Sequence, residues 1–160
     1  MDTDTAATLR QLLDRQPVAA LATLHRGEPA VSMVPFVLVP GTAELLIHVS
    51  ALATHTADLR AHARASLLVM DEARADVMAQ ARARVSLACV AEPLARDDPR
   101  HAQARAAYLA RFPDAAITFE LADFVIVVLR PASARLVAGL GRAWSLAGAA
   151  LDAWLRPAAA

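Results

Sequence analysis

The chain has 160 residues, 57% of them hydrophobic, and 16 basic side chains balance 16 acidic ones for a formal net charge of zero. This length suits one domain with a real core, spanning 1–160. A neutral balance argues against a nucleic-acid binder held by a basic surface, and the short, interrupted apolar runs contain no bilayer span.

The opening Met1-Asp-Thr-Asp-Thr5 is acidic and lacks the basic start of a signal peptide. Thr3 to Arg15 then reads as a helix capped by Thr3 or Thr5, with Leu9, Leu12 and Leu13 as its apolar stripe. Pro17 ends it. Val18–Leu24 is a first strand, and His25–Glu28 a tight turn around Gly27. Ala30–Leu38 is a second strand. Its Pro35 has no N–H to donate, so that point is an edge, a bulge or a mouth. After the turn Pro40-Gly41-Thr42, Glu44–Val49 is a third strand, and the three form an antiparallel meander.

A helix from Thr54 to His62 follows, then a strand Ser66–Met70 and a polar, Ala-rich loop Asp71–Gln80. Ala83–Ala91 alternates: Arg84, Ser86, Ala88 and Val90 face one way, Val85, Leu87 and Cys89 the other. Pro93 breaks that strand. His101–Arg111 is a helix. Phe124–Leu129, β-branched and uninterrupted, is a strand, which Pro131-Ala-Ser133 turns back into Ala134–Ala138. Gly139-Leu-Gly141 is a flexible joint before a terminal helix, Ala143–Leu155, and a tail. Six or seven short strands with a few helices make a small antiparallel β-barrel, because closing a sheet removes its exposed edges.

The stretch with a chemical use is Leu46 to Arg60. A strand stops at Ser50 and a helix opens near Thr54. The free N–H groups of a first helical turn converge on one spot, and the helix dipole makes that spot positive. Ser50, Thr54, His55 and Thr56 can add donors, so the stretch is either a phosphate seat or an ordinary N-cap. The five histidines include no pair at i, i+4 on one helix and there is no Cys pair, so no zinc site is assigned. Cys89 is read as a small core residue, with no His or Arg beside it to make it a nucleophile. Being single, it excludes an internal disulfide framework and fits a reducing cytoplasm. Arg142, between glycines and the last helix, is an anion clamp or a solvated charge.

Several motifs occur in a telling order: Ala19–Leu24, Gly27-Glu-Pro29, Ser32–Phe36, Ser50–Leu59, Ala65–Leu68, Arg84–Leu87, Tyr108–Pro113, Ala122–Phe124 and Gly139–Ala143. Together they resemble the FMN-binding split barrels related to pyridoxamine 5′-phosphate oxidase, most of all the branch associated with heme utilisation. The resemblance implies a six-stranded antiparallel split β-barrel with flanking helices. It also implies a homodimer with FMN in grooves between subunits, and oxidoreductase chemistry on an unknown substrate. It places the phosphate on Ser50, Thr54, His55 and Thr56. The isoalloxazine would lie along Met33, Val34, Pro35 and Phe36, covered by the Phe36 ring, with Arg84 at or near the groove, on the chain's own flavin or on the partner's. No catalytic acid or base is assigned. The further domain of longer members would be missing here.

The departures from that pattern matter. Oxidases of the superfamily carry Arg and Lys where this chain has Thr54 and His55, which disfavours a direct pyridoxine-phosphate oxidase. Asp58 stands where the branch has Asn, and a carboxylate one turn into the helix would repel a phosphate dianion. On that reading Asp58→Asn tightens FMN binding. The alternatives are a heme-binding protein, since heme needs one axial His and an apolar pocket, and a non-catalytic dimeric module.

Overall fold

In a computed structural model, which describes residues 1–156, eight strands form one antiparallel sheet in the order β2-β1-β5-β6-β7-β4-β3, with β8 hydrogen-bonded to β7. The strands are β1 (Val18–His25), β2 (Glu28–Pro35), β3 (Val37–Leu38), β4 (Leu45–Ser50), β5 (Arg64–Met70), β6 (Arg84–Leu94), β7 (Phe124–Val137) and β8 (Ala143–Ala147). The helices are α1 (Thr3–Arg15), α2 (Thr54–Ala61), α3 (His101–Arg111), α4 (Ala116–Phe119) and α5 (Gly148–Leu155). The sheet curls around a core of Leu21, Phe36, Leu45, Ile47, Leu67, Leu87 and Leu129, all fully buried. Leu9 and Leu13 of α1 and Leu151 and Leu155 of α5 join the same core.

Which face of each strand is covered explains its pattern. β4 and the first half of β7 are apolar without alternation because both of their faces are buried. Ile47, Val127 and Leu129 point into the barrel. Leu46, Ile126 and Val128 point into a second cluster, with Tyr108 of α3 and Phe119 of α4. β6 alternates because only its inner face meets the barrel core: Val85, Leu87 and Cys89 are buried and Ala88 and Val90 exposed.

Several predicted boundaries move. Asp2, not Thr3 or Thr5, caps α1, its carboxylate accepting from the Thr5 N–H at 2.8 Å. The expected second strand breaks at Phe36, and only Val37 and Leu38 pair with β4, so the meander is interrupted. Pro35 closes β2, an edge strand, where its missing N–H costs no ladder bond. Pro93 does not end β6, which runs to Leu94. β5 begins at Arg64, opposite Val90, so residues beyond Val90 have no β5 partner and an imino nitrogen is tolerated there. Nor does Pro131 turn the chain. β7 continues through a bulge, with Ala88 paired to Ser133 and Cys89 to Pro131.

The predicted terminal helix is half strand. Ala143–Ala147 pairs with β7, with Trp144 and Leu146 half-buried and their neighbours exposed, and only Gly148–Leu155 is helical. The last four residues of the expected tail, 157–160, lie outside the described residues. No helix among the described residues is long and apolar enough to cross a membrane.

Candidate functional site

β4 ends at Ser50, a tight turn follows, and α2 starts at Thr54. The helix packs across β1 and, more lightly, β2. Its N-cap is Ala53, whose methyl side chain accepts nothing, and no other side chain caps it. The leading N–H groups of this helix therefore carry no side-chain acceptor, and they sit at the positive end of the dipole. Thr54 is exposed beside them.

Ser50 and Thr56, two other expected seat residues, are engaged within the chain. Ser50 Oγ donates to Asp123 Oδ2 at 2.7 Å and accepts from the Leu52 N–H at 3.1 Å. Thr56 is 1% exposed and its hydroxyl donates to the Ser50 carbonyl at 2.7 Å, so it builds the turn and faces no ligand. The His55 ring is half-buried, and its Nε2 is buried without a hydrogen-bond partner among the described residues. Burial lowers its pKa from the ordinary value of 6.5, with Asp58 pulling the other way. A neutral His55 brings no positive charge to a phosphate.

Asp58 does not face the helix N-terminus. It is 5% exposed, accepts from Thr23 Oγ1 at 3.0 Å and pairs with His25 Nδ1 at 2.8 Å, both on β1. The His25 hydrogen bond, foremost, holds its carboxyl below the ordinary carboxylate value. The expected repulsion of a phosphate is therefore withdrawn: the carboxylate is turned to the sheet and holds α2 on β1.

On β2, Met33 and Pro35 are exposed and Val34 is buried. The Phe36 ring is fully buried, with the Arg111 guanidinium over it at 5.7 Å, so it cannot cover a flavin. The bend after Pro35 turns that ring into the core, while the β2 backbone stays at a sheet edge. Arg111 itself donates to the carbonyls of Asp14 and Gln16, both at 2.6 Å, and so closes the C-terminus of α1. Arg84 lies on the outer face of β6, far across the sheet order from β2, where it donates to the carbonyls of Gln80 and Arg82. Arg142 is neither a clamp nor a free charge. It donates to Thr5 Oγ1 at 2.6 Å, approaches Asp2 at 3.6 Å and lies over the Trp144 ring.

One chain thus brings together the open end of α2 and the ends of β2 and β4, and leaves Arg84 apart. The sequence reading missed Asp123, which binds Ser50, and Thr23 and His25, which bind Asp58. All three act across more than 30 residues of sequence, and no local spacing points to them. Among the described residues, no group of three or more His, Cys, Asp or Glu side chains gathers around a metal-sized space.

The curled antiparallel sheet with helices at its ends defines a split-barrel protein. Residues 5–138 match the family model described as pyridoxamine 5′-phosphate oxidase, and the chain belongs to that family. A heme binding protein from Mycobacterium smegmatis superposes with a TM-score of 0.80 at 33% identity, over 94% of this chain and 61% of that one. The chain thus spans under two thirds of that relative's length. HutZ, a heme storage protein from Vibrio cholerae, gives 0.70 at 24% identity, over 78% of this chain and 88% of its own. A FAD-binding protein from Mesorhizobium loti gives 0.63 at 18%, over 81% and 89%. The last two likenesses speak for the fold. No curated protein matches the chain.

Proposed function

We propose that the protein is a homodimeric flavoprotein that binds FMN in its split barrel and carries out oxidoreductase chemistry. The observation that carries the reading is the uncapped start of α2, open beside an exposed Thr54 hydroxyl at the end of β4. The leading amides of α2 and the Thr54 hydroxyl would hold the phosphate, and the edge backbone of Met33–Pro35 would lie along the ring system. Ser50 and Thr56 shape the seat from behind, and His55 lies beside it as a neutral group. FMN, when bound, supplies the electron transfer, while the protein supplies binding and orientation. Thr54 and His55 stand where the oxidases carry Arg and Lys, so the affinity is expected to be lower than that of a seat with basic residues.

The dimer reading rests on an uncovered apolar face. Val31 is 72% and Met33 65% exposed on β2, and Val18 and Leu24 are exposed beside them on β1. Adjacent exposed apolar side chains on a sheet with no helix over them mark an interaction face, and a two-fold contact between copies covers it symmetrically.

A second reading, heme binding, is favoured by the 33% identity to the Mycobacterium smegmatis heme binding protein. Absorption of protein purified without added ligand separates the two. Flavin gives a band near about 450 nm, and heme an intense band near about 400 nm. A colourless protein that binds neither on titration overturns both readings and leaves a dimeric module without a cofactor.

A further inference from the structure

On the outer face of the sheet, β6 and β7 set two arginines close together. Arg84 is paired in register with Val137, and Ser86 with Arg135. Arg84 and Arg135 are therefore diagonal neighbours, roughly 7–8 Å apart at the backbone and within reach of each other's side chains. Like charges so placed repel. Elsewhere on this sheet the chain answers such charge with acid: Arg130, also on β7, is held by both Glu44 and Glu92. Here it does not. Among the described residues neither Arg84 nor Arg135 forms an ion pair, although nine such pairs occur in the molecule.

The two guanidiniums are also held in place by neutral partners. Nη1 of Arg84 donates to the carbonyls of Gln80 at 3.2 Å and Arg82 at 3.0 Å, and Nη1 of Arg135 donates to Ser145 Oγ at 3.1 Å. Among the described residues, the other nitrogens of each have no hydrogen-bond partner. Both arginines line a groove of about 390 Å³ together with Gln80, Ser86 and the Gly139-Leu-Gly141 turn, and no carboxylate is among the residues that line it. Both glycines of that turn have positive φ, which lets the backbone turn tightly there, and the exposed Leu140 side chain between them adds an apolar part to the lining.

We infer that this groove is an oxyanion site. It would take the carboxylate or phosphate of a small organic anion between the Arg84 and Arg135 guanidiniums, with the Ser86 hydroxyl as a third donor. Planar guanidinium forks match the paired oxygens of either group, and an anion there relieves the repulsion between the two arginines. The site is separate from the proposed flavin seat, which uses none of Arg84, Ser86 and Arg135.

The test is calorimetric titration of the full chain, without flavin, at about 50 mM ionic strength, where surface charge is weakly screened. Citrate and inorganic pyrophosphate are the two probes. Saturable binding of either supports the site, and the tighter probe tells carboxylate from phosphate. The double variant Arg84→Gln/Arg135→Gln should bind that probe at least about tenfold more weakly, and Arg135→Lys should fall between, because lysine keeps the charge and loses the fork. Arg135 is exposed and Arg84 half-buried, and both substitutions relieve like charge, so circular dichroism should report an unchanged fold. Failure of the wild type to bind either probe below about 10 mM, which is weaker than about −3 kcal/mol, overturns the site. Binding by the double variant equal to that of the wild type overturns it too. A parallel FMN titration reads the flavin site separately, so loss of one reading leaves the other standing.

Discussion

Asp58 on α2 and His25 at the end of β1 meet at 2.8 Å, carboxylate oxygen to Nδ1, with the aspartate buried and the imidazole half-exposed. Thr23 adds a second bond from the same strand. This pair makes the angle of α2 a property of the sheet, and with it the position of the open helix end. Asp58→Ala should lower Tm by about 5 °C and loosen α2, seen as faster amide exchange in the helix with sheet amides unchanged. Asp58→Asn should be milder, since an amide still accepts from Thr23. The same pair reverses the expectation that Asp58→Asn tightens FMN binding: affinity should fall or stay level. A clear gain for the asparagine variant would return the carboxylate to the phosphate.

The pH dependence of the clamp has a defined sign. The folded Asp58 has its pKa lowered from 3.8, first by the His25 bond. Its contribution is therefore complete above the unfolded value and is lost as pH falls through the folded one. The Tm gap between wild type and Asp58→Ala should be present at about pH 5 and above and close in stronger acid. A gap that persists at pH 2 would assign the effect to packing alone.

His48 titrates in a different window. It is buried on β4, its ring stacked on Phe119 at 3.8 Å, and burial above all lowers its pKa from 6.5 to about 4. In the folded state it stays neutral where the unfolded chain takes up a proton. The wild type should lose stability as pH falls from 6.5 to about 4. His48→Phe should remove that component while keeping an aromatic ring on Phe119. Identical pH profiles for the two proteins would place the acid sensitivity elsewhere.

The start of α2 allows a selective test of the proposed seat. Thr54 is the first helical residue, and Ala53 before it has φ −72° and ψ 142°, the extended conformation that a following proline requires. Thr54→Pro should therefore leave the helix intact while removing one N–H and one hydroxyl. Losing these contacts costs about 1–3 kcal/mol, a drop in FMN affinity of roughly ten- to a hundredfold. His55→Ala should do less, because the ring is neutral. FMN binding unchanged in Thr54→Pro would show that the phosphate does not sit on α2.

The outer face of β2 should hold two copies together. Light scattering at micromolar concentration is expected to give a dimer, and Met33→Glu with Val31→Glu to give a folded monomer. A monomeric wild type would remove the shared groove from the proposal.

Much of this protein was legible along the chain because its signals are local. The uninterrupted run Phe124–Leu129 is a strand with both faces covered, and the alternation of Val85, Leu87 and Cys89 with Arg84, Ser86 and Ala88 is a strand with one face open. Those patterns, and the order of motifs from Ala19 to Ala143, were enough for the split barrel. Pairing between distant elements decided the rest. Pro93 and Pro131 read as breakers, yet the ladder leaves one without a β5 neighbour and absorbs the other in a bulge. Ala143–Ala147 is Ala-rich and reads as helix, but β7 offers it an edge. Asp58 and Phe36 are the sharpest cases, because a residue's place in a motif says which segment it joins and not which way its side chain turns. Contacts with Thr23, His25 and the core made that choice, and hydrogen bonding and burial across more than 30 residues leave no mark on the local pattern.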